Sequence, residues 1–283
     1  MQKVLLMIGT RKGGFLATSS PDRKTWDLKG PFLKGSEVHY VTYLPKTKTI
    51  VSTVKSWWFG SAVRYSTDGG ENWTEPERGI KFAEGRDKSV ERIWIVREGA
   101  DALYAGVDPG ALFRSGDNGR TWDEVQPLTD HPTRDKWFPG AGGLMVHSIC
   151  PDPGETWTDI SEGLPSRFGF PIVVSPRDPD TITIFVIPEE GAEARMTPGG
   201  FLGIFRSKDR GTTWERLTEG LPQHDSFAHV YRAAACADTL DPAGIYVGTQ
   251  GGQVLASRNS GDKWETIFNW LPPVYSVQAA VVD

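Results

Sequence analysis

An eight-residue pattern, S-x-D-x-G-x-x-W, recurs along the chain and constrains its fold more than any other feature. Ser and Asp side chains can bond to backbone groups just beyond them, Gly allows a positive φ, and Trp covers the turn with a large ring. Three copies are clear, one has Asn for Asp, one has Cys for Ser and one keeps little beyond Ser and Trp: 66–73, 115–122, 207–214, 257–264, 150–157 and 19–26. Alternating segments flank the copies, so each is predicted to be a hairpin turn with a structural role.

The spacing of the copies predicts the architecture. Their Trp residues are separated by 47, 49, 35, 57 and 50 residues. A period near fifty with several short strands is typical of a β-propeller with four-stranded blades, so we expect an all-β single domain over residues 1–283. The N-terminus begins in mid-repeat, and residues 275–281 match the missing first strand. We therefore predict a ring closed by the C-terminal strand, which joins the N-terminal blade.

The short interval is the one irregularity. Between Trp122 and Trp157, a loop at 126–143 and a single strand at 144–149 leave no room for two further strands. Either this blade is degenerate or residues are absent near Cys150-Pro151, and we favour absence. Regular spacing then requires the rest of one blade and most of another. The prediction is seven blades, or six if nothing is missing.

Composition and net charge limit which binding partners and which cellular compartment are expected. The net charge is −5 and the chain has no basic block, so no nucleic acid partner is expected. The apolar run at the start is too short for a signal peptide, and no segment is long enough to span a membrane. Two cysteines do not form a disulfide framework. We expect a soluble cytoplasmic protein without a membrane partner.

The clear copies at Ser66, Ser115 and Ser207 make the whole chain resemble the BNR/Asp-box repeat proteins. These are sialidase-like, WD40/YVTN-like propellers that are often labelled as glycosyl hydrolases. The resemblance implies the propeller fold, and a glycosidase-type hydrolase if the protein is an enzyme. The Arg-Ile-Pro type motif of true sialidases is not identifiable, and the catalytic residues are unknown. Whether the protein is an enzyme stays open.

Aligning the predicted inner strands brings polar residues into one register. These residues are His39, Arg92, His147, Arg232 and Gln278. Inner strands of a propeller line its central channel, so the five side chains are predicted to meet at the channel mouth. Two arginines and two imidazoles suit a small anionic ligand such as a carboxylate, phosphate or sulfate. The first functional hypothesis is a propeller that binds a small anionic or carbohydrate ligand there.

Other uses of the same residues remain. No cofactor is predicted, but a channel-bound metal ion is the rival to an anion, with His39 and His147 the only candidate ligands. The side chains could instead merely line a water-filled channel. The alternative function is a non-enzymatic scaffold whose rim loops bind another protein, which requires an exposed apolar patch. Residues 57–59, Trp-Trp-Phe, are expected to pack between blades rather than to stack on sugar rings.

Overall fold

Strands account for nearly all of the regular structure. The computed structural model describes residues 2–139, 143–150 and 156–283. Its strands are β1 (Lys3–Thr10), β2 (Gly13–Ser19), β3 (Asp27–Phe32), β4 (Glu37–Leu44), β5 (Thr49–Ser56), β6 (Gly60–Ser66), β7 (Arg92–Glu98), β8 (Leu103–Asp108), β9 (Ala111–Ser115), β10 (Asp123–Glu124), β11 (Gly169–Val174), β12 (Ile182–Val186), β13 (Ile204–Ser207), β14 (Glu215–Arg216), β15 (Ala235–Ala237), β16 (Ile245–Gly248), β17 (Val254–Ser257), β18 (Trp264–Phe268) and β19 (Val274–Val282). One short helix, α1 (Gln126–Thr129), and three single 3₁₀ turns, Arg134–Lys136, Glu189–Gly191 and Pro198–Gly200, accompany them.

The strands form five sheets in the described part of the chain. Their strand orders are β19-β1-β2-β3, β4-β5-β6, β10-β9-β8-β7, β11-β12-β13-β14 and β15-β16-β17-β18. Each sheet is built from neighbouring strands, as in a propeller blade. The prediction of seven or six four-stranded blades is wrong, because there are five sheets and one of them has three strands. In that sheet only Tyr65 and Thr74 pair where a fourth strand would lie.

The chain divides into two compact units, each described by itself below. Unit 1 comprises residues 1–10, 15–30 and 155–283, and unit 2 comprises residues 11–14 and 31–154. Sheets β11–β14 and β15–β18 belong to unit 1, together with most of the sheet that contains β1 and β19. Sheets β4–β6 and β7–β10 belong to unit 2.

The segment that follows the long loop explains the missing blades. Residues 144–149, predicted to be a strand, do not form one. Instead the Val146 amide donates to the Val107 carbonyl at 3.0 Å, and the Gly110 amide donates to the Leu144 carbonyl at 2.6 Å. The segment thus lies against the end of β8, in unit 2. Residues 151–155, which carry most of the Cys150 copy of the repeat, lie outside the described residues.

Residues 157–165 are the remnant of a blade in unit 1. Their sequence, WTDISEGLP, matches WERLTEGLP at 214–222. The Trp214 indole donates to the Ile160 carbonyl at 2.9 Å. Ile160 also lies against Gly211, as Leu217 lies against Gly261 of the next repeat. Ile160 therefore occupies the position of a fourth-strand residue, but it belongs to no sheet. For this reason the six repeats give five sheets among the described residues.

The repeated pattern forms the predicted turns. In four copies the Ser hydroxyl donates to the Asp or Asn oxygen two residues on, at 2.7–2.9 Å: Ser66–Asp68, Ser115–Asp117, Ser207–Asp209 and Ser257–Asn259. The same hydroxyl accepts from the amide of the pattern's Gly. Hydrogen bonds from Asn72 lower the pKa of Asp68 to about 2. These residues stabilise the turns, as the pattern predicts. The hydrogen bonds of their side chains are made within the turns.

The two ends of the chain pair in one sheet. β19 runs antiparallel to β1 along its whole length, from Lys3 opposite Val282 to Thr10 opposite Val274. The prediction that the C-terminal strand joins the N-terminal one is confirmed.

Sheet faces pack on one another within each unit. In unit 1 one cluster joins β11–β14 to β15–β18, and a second joins β15–β18 to β1, β2 and β19. In unit 2 a cluster joins β4–β6 to β7–β10. Each fully buried Leu, Ile, Val or Phe side chain contributes roughly 1.5–3 kcal/mol to this packing. Among the described residues, no helix is long and apolar enough to cross a membrane.

Candidate functional site

The five predicted site residues belong to both units. His39, Arg92 and His147 lie in unit 2, whereas Arg232 and Gln278 lie in unit 1. Within each unit the structure shows which neighbours these side chains have. Those neighbours decide what each residue can bind.

In unit 2, His39 and Arg92 both contact Trp94. The His39 ring is 4.9 Å from the Trp94 ring, and its Nε2 lies 3.5 Å from a Glu37 carboxylate oxygen. His39 is buried, and this burial, with positive charge on Arg92 and Lys55, lowers its pKa to about 3. The imidazole is therefore neutral at pH 7 and sits in the packed interior of the sheet.

The charge of Arg92 is compensated. Its Nη1 donates to Asp108 Oδ2 at 3.3 Å, and its guanidinium lies 5.6 Å from the centre of the Trp94 ring. Arg92 and Asp108 are cross-strand partners in the β7–β8 ladder. Nearby, Lys55 is paired with Glu91 at 3.2 Å. At this end of unit 2, Arg92 and Lys55 are both paired with carboxylates, so neither provides an unpaired positive charge for an anion.

His147 follows the long loop and is half-buried on a segment that is not a strand. It thus lacks the inner-strand position assigned to it. No group of three or more His, Cys, Asp or Glu side chains able to hold a metal ion occurs in residues 2–139, 143–150 and 156–283.

In unit 1 a ladder of aromatic rings surrounds a histidine. Its members are Phe168, Phe170, His229, Tyr231 and Tyr275, each ring 4.7–5.4 Å from the next in edge-to-face contact. Phe170 comes from β11 and Tyr275 from β19. His229 and Tyr231 precede β15, which begins only at Ala235. The prediction that Arg232 lies on an inner strand is therefore wrong, although Arg232 lies in the segment directly before that strand.

Two arginines stack on the Phe170 ring of this ladder. The Arg232 guanidinium lies 4.6 Å from the ring centre and the Arg195 guanidinium 6.0 Å from it. Both side chains are exposed, and neither has a carboxylate partner among the described residues. Arg232 is only partly desolvated, and this partial burial, followed by the charge of Arg195, lowers its pKa. The two guanidiniums thus form an uncompensated positive site. We call Arg195, Arg232, His229 and Phe170, with Tyr231 and Tyr275, the unit 1 cluster.

His229 is the unusual member of the unit 1 cluster. Its side chain is 4% exposed, and neither ring nitrogen has a hydrogen-bond partner within the described parts of the chain. Burial, with the charges of Arg195 and Arg232, lowers its pKa to about 4. A buried polar group is normally hydrogen-bonded, and leaving one unsatisfied costs about 1–3 kcal/mol. The buried, unsatisfied imidazole is therefore an unusual feature of the unit 1 cluster, and the two guanidiniums are its exposed charged groups.

Gln278 is hydrogen-bonded to the backbone. Its amide donates to the carbonyl of Ala233 at 3.3 Å and to that of Val277 at 2.6 Å. Ala233 also bridges to Ser276 of β19. Gln278 therefore helps to hold the backbone directly after Arg232, rather than facing a ligand.

Two cavities open on unit 1. One of 890 Å³ is lined by Phe168 of the ladder and by acidic residues that include Glu162 and Glu189. The other, of 640 Å³, is lined by Phe227, Gln250 and Gln253 among others. The His229 carbonyl accepts from the Gln250 amide at 2.7 Å. The backbone at His229 is thereby tied to the wall of the second cavity.

The aromatic tip of the β5–β6 hairpin in unit 2 is exposed. Trp57, Trp58 and Phe59 are 89%, 90% and 86% exposed, so the expectation that they pack between blades is wrong. Ser56 Oγ accepts from the amides of Trp58 and Phe59, which closes the turn. The whole three-residue loop is aromatic, although such loops are usually rich in Gly, Asn, Asp and Ser.

No family model and no curated protein matches the chain. Among solved structures it is similar to YCF48 bound to D1 peptide, with 14% identity, a TM-score of 0.38, and coverage of 92% of this chain and 81% of that one. It is similar to YCF48 from Cyanidioschyzon merolae, with 13% identity, a TM-score of 0.40, and coverage of 93% and 85%. It is also similar to an ancestral GH74 enzyme, with 16% identity, a TM-score of 0.26, and coverage of 82% and 24%. All three TM-scores are below 0.5.

Proposed function

We propose that unit 1 binds a small anionic ligand at the guanidiniums of Arg195 and Arg232, beside the Phe170 ring. The observation that carries the proposal is the pair of guanidiniums stacked on one ring without a carboxylate partner in the described chain. Two like charges this close repel each other, and a bound anion relieves that repulsion. Hydrogen bonds to ionised groups are also stronger than neutral ones, and Arg presents them in a planar fork.

The choice of unit 1 over unit 2 follows from charge compensation. Arg92 is already paired with Asp108, and His39 lies beside Glu37. An anion there would have to displace an existing carboxylate. At Arg195 and Arg232 it displaces only water. The predicted site is thus reduced to Arg232 and gains Arg195, which the repeat register did not indicate.

The proposal is binding and not hydrolysis. None of the side chains in the unit 1 cluster is a carboxylate, so the cluster itself supplies no acid of the kind that glycosidases use in pairs. The two guanidiniums orient a ligand and stabilise its charge.

A titration with simple anions tests the proposal. Acetate and sulfate are added to the full chain at low ionic strength, with binding followed by NMR or calorimetry. Replacing both arginines, Arg195→Gln with Arg232→Gln, should weaken binding at least tenfold, since each charged hydrogen bond contributes about 1.5–3 kcal/mol. The matched control is Arg216→Gln. Arg216 also stacks on a ring, that of Phe201 at 4.0 Å, but its guanidinium is hydrogen-bonded to Gln223. Equal losses of anion affinity in the control and in the double variant would contradict the proposed site.

The exposed hairpin tip favours a second candidate function, the docking of a partner protein. Trp and other large aromatic side chains dominate binding energy at protein interfaces. The tip variant Trp57→Ser with Trp58→Ser should lose a partner that the native chain captures. The control Trp270→Ser should retain it, because Trp270 is 91% exposed on unit 1. A partner captured equally by the tip variant would remove this candidate.

A further inference from the structure

The strand β11 has a free edge in unit 1. Among the described strands it pairs with β12 alone. The Ser175 amide, directly after β11, donates to the Thr181 carbonyl at 2.9 Å. Along an antiparallel ladder, successive residues direct their backbone groups alternately to the partner strand and away from it. Counting back from Ser175, Val173 faces β12, whereas the N–H and C=O groups of Ile172 and Val174 point to the free edge.

This free edge is accessible. Ile172 is 54% exposed and Val174 is 52% exposed. The strands β15 and β19, which also begin their sheets, have only buried and half-buried residues. Within the described ranges, neither Ile172 nor Val174 has a backbone hydrogen bond to a turn or loop. An open edge of this kind lets an extended segment of another protein add as a further strand.

Two guanidiniums without a carboxylate partner in the described chain lie at one end of the edge. Phe170, two residues before Ile172 on β11, carries the guanidiniums of Arg195 and Arg232 on its ring. Strand residues are spaced about 3.3 Å apart, so Phe170 and Val174 are separated by roughly 13 Å. An extended segment of about six residues is therefore long enough to pair with the edge and to place a side chain at the arginines.

The two arginines lie on an open surface. Neither cavity of unit 1 described above is lined by Arg195 or Arg232. A small molecule gains most of its affinity by burying its surface in a pocket, so an anion bound only at this surface is held weakly. A carboxylate that belongs to a larger chain gains affinity from the contacts of the rest of that chain. This favours a protein segment as the source of the anion.

The surroundings limit how many anionic groups can bind. Glu189, Glu190 and Glu193 are exposed in the segment that leads to Arg195. Their charges repel a nucleic acid backbone or an anionic membrane, each of which presents phosphates over a wide area. A segment with one or two carboxylates needs to approach only the two guanidiniums.

We propose that β11 pairs with an extended segment of a partner protein that combines acidic and apolar residues. Its Asp or Glu side chains meet Arg195 and Arg232, and its backbone bonds to the free edge. Its apolar side chains lie beside Ile172 and Val174 as cross-strand neighbours. This inference rests on the proposed anion site and names the partner that supplies the anion.

Short acetylated and amidated peptides test the inference on the full chain. Each contains two Asp and three Val residues, in either order, with up to three Ser residues between them. Comparison peptides replace Asp by Asn or Val by Ser, and acetate is the reference anion in the same calorimetric titration. At least one acidic and apolar peptide should bind about tenfold more tightly than acetate and than its Asn and Ser counterparts, because only it uses both the charges and the apolar side chains.

A proline at position 174 tests the strand pairing directly. Val174→Pro removes the N–H that points to the free edge and leaves the hydrogen bonds to β12 in place, as proline does on an edge strand. It should weaken peptide binding at least tenfold and leave acetate binding unchanged. The matched control Val174→Thr keeps the N–H and the branched side chain, and it should bind the peptide within about threefold of the native chain.

Hydrogen exchange gives a second measurement that needs no variant. The amides of Ile172 and Val174 should exchange more slowly when the peptide is bound, because they then donate to its carbonyls. Acetate should not slow them. If Val174→Pro does not fold, this exchange in the native chain decides whether the peptide pairs with β11.

The contrary outcomes are distinct. The partner class is wrong if no peptide binds more tightly than acetate, or if the Asn counterpart binds equally well, whereas the anion site is judged separately by acetate. If Val174→Pro binds the peptide as the native chain does, or the amides of Ile172 and Val174 exchange at unchanged rates, the pairing with β11 is refuted. A preference for phosphatidylserine vesicles over every peptide would assign the surface to a membrane and also overturn the inference. If neither acetate nor any peptide binds, the inference and the proposed function fail together.

Discussion

The guanidinium carbon of Arg232 lies 4.6 Å from the centre of the Phe170 ring. The ring restricts the plane of the guanidinium, so the side chain meets a ligand with its donors already oriented. Lys carries the same charge but neither the planar fork nor the stacking surface. Arg232→Lys should therefore weaken anion binding about tenfold although the net charge is unchanged. Measured dissociation constants check this, and native affinity in Arg232→Lys would show that charge alone acts.

Acid should destabilise unit 1 through His229. The unfolded chain titrates this residue near its ordinary pKa of 6.5, whereas burial beside Arg195 and Arg232 lowers the folded-state pKa to about 4. Because the unfolded chain takes up the proton first, the stabilising effect is complete above pH 6.5 and is lost as the pH falls towards 4. The loss is at most about 3 kcal/mol.

Denaturant unfolding of the native chain and His229→Phe at several pH values measures this effect. His39 shifts in the same direction, so the informative quantity is the difference between the two proteins. That difference should change between pH 6.5 and 4 and be flat above pH 7. A difference independent of pH would contradict the shifted pKa.

Removal of the C-terminal strand should unfold the sheet that it completes. β19 pairs with all eight residues of β1, and Val274 and Val277 are fully buried against its neighbours. Ending the chain at Pro273 exposes the edge of β1 and part of one core cluster. We expect loss of the cooperative melting transition of unit 1, followed by circular dichroism. A truncated chain with an unchanged melting curve would show that the pairing contributes little.

A buried ion pair inside unit 1 should be costly to break. Arg23 Nη1 lies 3.0 Å from Asp238 Oδ2, both side chains are almost fully buried, and Tyr246 also donates to that carboxylate. Asp238→Ala leaves the arginine charge buried without a partner, which costs about 3–5 kcal/mol. The control is Asp180→Ala, whose solvent-exposed pair with Arg210 contributes little to stability. Equal losses of unfolding free energy in the two variants would contradict the assignment.

Local features were predictable from the sequence, whereas the number of sheets was not. The turn at Ser66 follows from side chains that bond to backbone groups within eight residues, so it forms wherever the pattern occurs. The pattern counts turns and not sheets, however. Around Trp157 the described residues include only the part equivalent to a fourth strand, and Ile160 is hydrogen-bonded to the next repeat without a sheet of its own. A count of repeats therefore overestimated the blades.

The site was partly predictable for a related reason. The register indicated Arg232, although the strand itself begins at Ala235. Arg195 lies in an irregular segment between two 3₁₀ turns, where no repeat supplies a register. The pairing of Arg92 with Asp108 depends on the β7–β8 ladder, which the alignment of inner strands did not include. Such cross-strand pairs determine whether an arginine is charge-compensated. Charge compensation is what distinguishes the two units as candidate anion sites.

The ring nitrogens of His229 report directly on the central claim that a ligand occupies the unit 1 cluster. The chain has five histidines, whose ¹⁵N signals can be followed while acetate is added. The signals of His229 should shift and saturate, and should stop responding when Arg195 and Arg232 are both replaced by Gln. The signals of His39, which is buried in unit 2, should stay in place. Unmoved His229 signals at saturating acetate, or a shift confined to His39, would contradict the account.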